Sequence, residues 1–154
     1  MKIYVVDFEG VLKNFIPYHK SLEKVQTEKK KFSDDIEIIK KEMETIINSS
    51  RSLLLDEKTQ YENANRFKDL QAKAIKLESD FRSHVVEMQN EELEGNYTEI
   101  SDMIQNWAKK AEIDIVISKS STVFANEKID ATEAIINLLK ECNLYYSVEE
   151  VIES

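Results

Sequence analysis

The sequence predicts an α+β fold that is mostly α: a long antiparallel helical hairpin, a coiled-coil arm, projecting from a small β-strand body. Three observations predict it. The 154 residues hold only 2 Gly and 1 Pro, against about 11 and about 8 at ordinary usage. Tight turns draw mainly on those two residues, so the chain has few of them. Two heptad runs fill its middle, and strand-like segments stand at both ends. This pattern argues against sandwiches, single-chain barrels, Rossmann folds and Gly-rich phosphate loops. The length fits one domain, and 33% charged residues with so few turns point to an elongated one.

Residues 2–8 are rich in β-branched and aromatic side chains and read as a strand that Gly10 ends. Residues 11–16 suit a short helical turn, and Pro17 suits the first turn of a long helix. Val25, Phe32, Ile36, Ile39, Met43 and Ile46 follow with steps of 7, 4, 3, 4 and 3, with Lys29 in one seam position. That narrow stripe is a coiled-coil seam rather than a broad globular face. Ser49, Ser50 and Ser52 favour a turn, and Asp56 suits an N-cap. Phe67, Leu70, Ala74, Leu77, Phe81, His84 and Met88 then repeat the heptad, so the two runs read as an antiparallel hairpin. The arms span roughly 40 Å and roughly 80 Å at 1.5 Å per residue. Gly95 and Asn96 should loosen or kink the second arm, beyond which Ile100, Met103, Ile104, Trp107, Ala108 and Ala111 keep helical spacing.

Residues 113–118 read as a second strand and Thr122–Ala125 as a third. Asp130 or Thr132 can cap a last helix ending near Cys142. Residues 145–154 are an acidic turn or tail. The domain reading is a body of residues 1–17 and 111–154 and an arm of residues 18–110. The net charge of −9 sits mostly after residue 110, while the arms are close to neutral.

That charge disfavours nucleic acid as a partner. No apolar run is long enough to span a membrane, which leaves only peripheral contact with one. No secretory signal precedes the first strand, so the chain reads as cytoplasmic or as a mature form whose signal was replaced by Met1. Cys142 is the one cysteine and forms no internal disulfide. Two histidines, His19 and His84, allow no Ser-His-Asp set and no metal cluster, so neither a cofactor nor a metal is expected. Residues 5–12, with Asp7, Glu9 and Gly10, resemble the nucleophile motif of haloacid-dehalogenase-type phosphatases. The later acidic pair and the Rossmann-like sheet of that family are missing, so the reading is not an enzyme.

Leu53, Leu54 and Leu55 at the hairpin tip either cap the hairpin's own seam or contact apolar segments of a client. Ile38 and Ile47, off the strict seam, carry the same two readings.

The opening Lys2–Asp7, Ile113–Ser118, Val123–Asn126 and the Ile129–Thr132 entry to the last helix, with Leu138 and Leu139, resemble the Skp/OmpH family of periplasmic chaperones. The resemblance covers about residues 2–141. It implies a homotrimer in which strands of three subunits build a small barrel-like body and the hairpins enclose a cavity. Ile3, Val5, Ile113, Ile115, Val116, Val123 and Phe124 would then belong to the trimer body. Trimerisation would also pool a core that is small for one chain. The implied function is an ATP-independent holdase that keeps unfolded outer-membrane proteins from aggregating, in the periplasm. A structural or adaptor protein that holds one specific partner on the same scaffold is the alternative. The chain departs from the family's best-known, basic members in its −9.

Overall fold

The fold is seen in a computed structural model that describes residues 1–52 and 54–147. The element order is β1 (Ile3–Val6), α1 (Phe8–Lys13), α2 (Ile16–Ser50), α3 (Glu57–Lys110), β2 (Ile115–Ser118) and α4 (Thr132–Glu141). Two 3₁₀ turns, Lys119–Ser121 and Glu127–Ile129, lie between β2 and α4. The α+β, mostly helical architecture is the one the sequence predicts. Two compact units divide the chain: residues 1–23 with the chain from Asn90 on, and Lys24–Gln89. Residues 18–23 and 90–110, which the sequence assigns to the arm, thus fall in the first unit.

In the first unit β1 and β2 pair in parallel, with Ile3 opposite Ile115 and Val6 opposite Ser118. Parallel neighbours need a long crossover, and here the whole helical middle of the chain is that crossover. Asp7 ends β1 and caps α1, its carboxylate accepting from the Gly10 amide at 3.1 Å. A Cβ at Gly10 would lie 2.6 Å from that carboxylate, so this glycine is set by close approach. The core gathers Val6, Val11, Phe15, Ile100, Ile104, Ala131, Ile135 and Leu139 from both ends of the chain. Trp107 packs on it and meets Tyr4 edge-on at 6.1 Å.

The helix ends explain how so few glycines suffice. Glu112 (φ 53°) and Asn143 (φ 56°) take the left-handed conformation just past α3 and α4. The amides of Ile113 and Leu144 then reach back to the carbonyls of Ala108 (2.9 Å) and Leu139 (2.8 Å), which closes each helix as a glycine would. The cost for a non-glycine residue is about 1–2 kcal/mol.

After α4, residues 144–146 lie along the α1–α2 junction. Ile16 donates to the Leu144 carbonyl (2.8 Å), Tyr146 donates to the Asn14 carbonyl (2.7 Å), and Phe15 bridges Tyr145. Tyr146 stacks on His19 at 3.5 Å, and the Lys140 ammonium stands 4.7 Å above the Tyr145 ring. The tail from residue 148 lies outside the described residues.

The structure corrects three expectations. At Gly95, where the sequence predicts a loosening or kink, α3 continues unbroken from Glu57 to Lys110. Asn96 is buried, and its amide donates to the Ser21 hydroxyl at 3.0 Å. A Cβ at Gly95 meets nothing within 4 Å, and its backbone is not left-handed. Gly95→Ala should therefore stabilise the chain by about 0.5–1 kcal/mol, read as a rise in the denaturation midpoint. The third predicted strand does not form: Thr122 is extended (φ −112°, ψ 143°) but pairs in no ladder among the described residues. The third correction lies in the second unit.

There the two heptad runs pack antiparallel. Val25 packs with Val85 and Met88, beside Phe81. Ile39 and Ile46 pack with Leu70, beside Met43, Phe67, Ala74 and Leu77. Phe32 and Phe81 stack face to face at 4.0 Å. His84, predicted in the seam, is instead exposed, with its ring 3.6 Å from the Glu28 carboxylate, and Val85 takes the buried place. A straight helix turns every 3.6 residues rather than 3.5, which lets steps of 4 and 3 replace steps of 3 and 4 between Phe81 and Met88, and Met88 keeps its place. Asp56 caps α3, accepting from the Thr59 amide at 2.7 Å. Hydrogen bonds from the side chain and then the amide of Thr59 hold its carboxyl below its ordinary value.

Candidate functional site

The acidic motif at the end of β1 takes a structural part in the fold. Asp7 is committed to capping α1, and its own amide donates to the Thr132 hydroxyl at 2.8 Å. Asp130 accepts from the Thr132 amide at 3.0 Å and receives the Lys119 ammonium at 3.0 Å. The cap position itself corrects the sequence expectation of Asp130 or Thr132: it falls on Ala131, which lends no side-chain hydrogen bond, and Asp130 steadies the entry to α4 from one residue earlier. The Thr132 hydroxyl, then its amide and Lys119, hold the Asp130 carboxyl below the ordinary range against the opposing effect of burial. A depressed carboxyl stabilises fully above its unfolded pKa and loses that contribution as pH falls through the lower folded value. The thermal midpoint of the first unit should therefore drop below about pH 4. Asp130→Asn should flatten that acid limb in melts taken at several pH values.

Among the exposed apolar side chains, which also include Tyr61, Ile75 and Val86, two sets contain the residues the sequence singled out. The first belongs to the hairpin. Ile38 (58% exposed) and Ile47 stand off the seam, and Leu54 (95% exposed) projects fully. Leu55 is half-buried, and its carbonyl accepts from the Gln60 side chain at 3.3 Å. Leu53 lies outside the described residues. Between the last turns of α2 and the first turns of α3 lies a groove of about 640 Å³, lined by Ile46, Ile47 and Phe67 and by Arg51 and Lys68. The sequence reading found Ile47 but missed the two cations, which lie 17 positions apart and meet only across the hairpin.

The second set belongs to the first unit. Val5 is buried in the chain's own core, and Ile3, Ile113 and Val116 are half-buried. Ile115 and Ile117 alternate outward along β2. Val123 and Phe124, in the loop between the two 3₁₀ turns, are 108% and 82% exposed. Only β1 flanks β2 among the described residues, so its second edge is open beside the outward-facing Ile115 and Ile117.

The family model described as outer membrane protein (OmpH-like) matches residues 2–139. The chain belongs to the OmpH-like family. The match covers the strands, the hairpin and nearly all of α4, and it ends before the segment that lies along the α1–α2 junction. A crystal structure from Caulobacter crescentus CB15, described as that of an outer membrane chaperone (OmpH-like), shares the fold with a TM-score of 0.76. The two sequences are 12% identical, over 95% of this chain and 88% of that one. No curated protein matches the sequence. Among the described residues, no helix is long and apolar enough to cross a membrane.

Proposed function

We propose that the chain is an ATP-independent holdase chaperone. In this reading it is a homotrimer that holds unfolded outer-membrane proteins between its hairpin arms and works in the periplasm, without enzymatic activity. Residues 1–17 and 111–154 serve as the trimerisation body and residues 18–110 as the arm. Membership of the OmpH-like family, with a related fold described as that of an outer membrane chaperone, supports the class. Two observations carry the reading: β2 has a strand on one side only among the described residues, and Val123 and Phe124, which follow it in the chain, are exposed. A chain that exposes such a pair and leaves a strand edge open has reason to cover both with further copies of itself. Closed cyclic symmetry then limits the assembly.

On the arm, Ile38, Ile47, Leu54 and Leu55 are the client-contacting residues in this reading, with Leu53 beside them in sequence. Scattered apolar contacts on a near-neutral arm hold a client weakly at many points, which suits capture without sequence specificity and release without ATP. Light scattering should find three chains of 18.0 kDa, about 54 kDa in all. The protein should suppress aggregation of a denatured β-barrel protein diluted into buffer without nucleotide. A monodisperse monomer, or protection that requires ATP, would overturn the proposal.

A further inference from the structure

The groove at the hairpin tip joins an apolar floor to a cationic mouth. Ile46 is buried in it, with Ile47 and Phe67 alongside. Arg51 and Lys68 are exposed at its rim, and no acidic side chain lines it. In a chain of net charge −9 a lining with two cations and no anion is a local reversal of sign. Two acids of the same helix ends already have partners: Glu42 pairs with Arg66 at 3.4 Å, and Asp56 caps α3. Arg51 and Lys68 make no ion pair among the described residues.

We propose that this groove binds a segment of unfolded polypeptide carrying a bulky apolar side chain next to a carboxylate. The apolar side chain sits on Ile46, Ile47 and Phe67, and the carboxylate meets Arg51 and Lys68. Apolar burial is non-directional and gives affinity without sequence. The cations then discriminate, since a lysine in place of the acid faces two like charges. Gln60 and Asn63 also line the groove; each amide gives one hydrogen to the hairpin itself, to the Leu55 carbonyl and the Ser49 hydroxyl, and its second hydrogen and its carbonyl oxygen match a peptide backbone and have no use for a fatty chain. The inference rests on the holdase reading and names the client chemistry one site prefers.

The test uses the full chain and two labelled short peptides, each with a Leu-Phe pair, one followed by Asp and the other by Lys. Fluorescence anisotropy at low salt should show the acidic peptide bound about tenfold more tightly. The charge-reversal variant Arg51→Glu with Lys68→Glu should invert that preference. Both residues are exposed, so the helical circular dichroism should stay unchanged. Equal affinity for the two peptides, or a preference that survives charge reversal, overturns the proposal. So does dodecanoate that competes more strongly than the acidic peptide and loses its hold in the same variant, which would make the groove a fatty-anion site. Peptide preference decides the groove, and protection of an unrelated unfolded client decides the holdase reading, so the two can fail separately.

Discussion

Phe15→Ala is expected to cost about 3–5 kcal/mol, the range for a large aromatic removed from a closed core. The side chain is fully buried at the junction of α1 and α2, among side chains from α3 and α4. The cavity would be hard to collapse, because the backbone around it is pinned. The Phe15 amide donates to the Leu12 carbonyl at 3.1 Å, and the neighbouring Ile16 amide donates to Leu144. Trp107, the one tryptophan, packs on the same cluster, so its fluorescence reports the unfolding of this unit directly. Denaturant titrations at one fixed protein concentration, to hold any assembly term constant, should show the midpoint fall with the slope unchanged. A loss below about 1 kcal/mol would place Phe15 outside the core.

How legible this core was in the sequence depends on the kind of signal each part carries. The hairpin seams rest on a local period, and period survives in sequence: Ile39, Ile46 and Leu70 are buried where the heptads put them. Lys29 and His84, both placed in the seam, are exposed, and at the second site Val85 is buried instead, a local slip that a non-integer period allows. The body is different. Its core joins Phe15 to Ile100 and Leu139, contacts that no local window contains. The left-handed caps at Glu112 and Asn143 were hidden because the usual marker, glycine, is absent from both. The segment at 144–146 resembled an acidic tail, although Leu144, Tyr145 and Tyr146 formed an apolar run that could have signalled a docking strand. Thr122–Ala125 has strand composition and extended backbone at Thr122 but lacks a partner within the chain. Composition records what a segment can pair with, and it does not say whether the partner belongs to the same molecule.

That last point leads to the second large effect, the variant Val123→Asp with Phe124→Asp. Within one chain neither side chain packs on anything that matters, at 108% and 82% exposure, so the fold of the isolated subunit should be unaffected and its circular dichroism unchanged. Any large change must then come from between chains. If the proposed trimer buries this pair, each side chain contributes about 1.5–3 kcal/mol per subunit. The double substitution then removes about 3–6 kcal/mol per subunit, a factor of roughly 10² to 10⁴ in association. The carboxylates add a further cost, because an unpaired charge resists desolvation. Light scattering should find a species near 18.0 kDa at concentrations where the parent chain is a trimer, and client protection should fall with it if the cavity between arms is what holds the client. A double variant that keeps the trimer mass would move the interface away from this pair. A monomeric variant that still protects clients in full would separate the arm's capture of client from assembly, leaving the hairpin surface alone to do the holding.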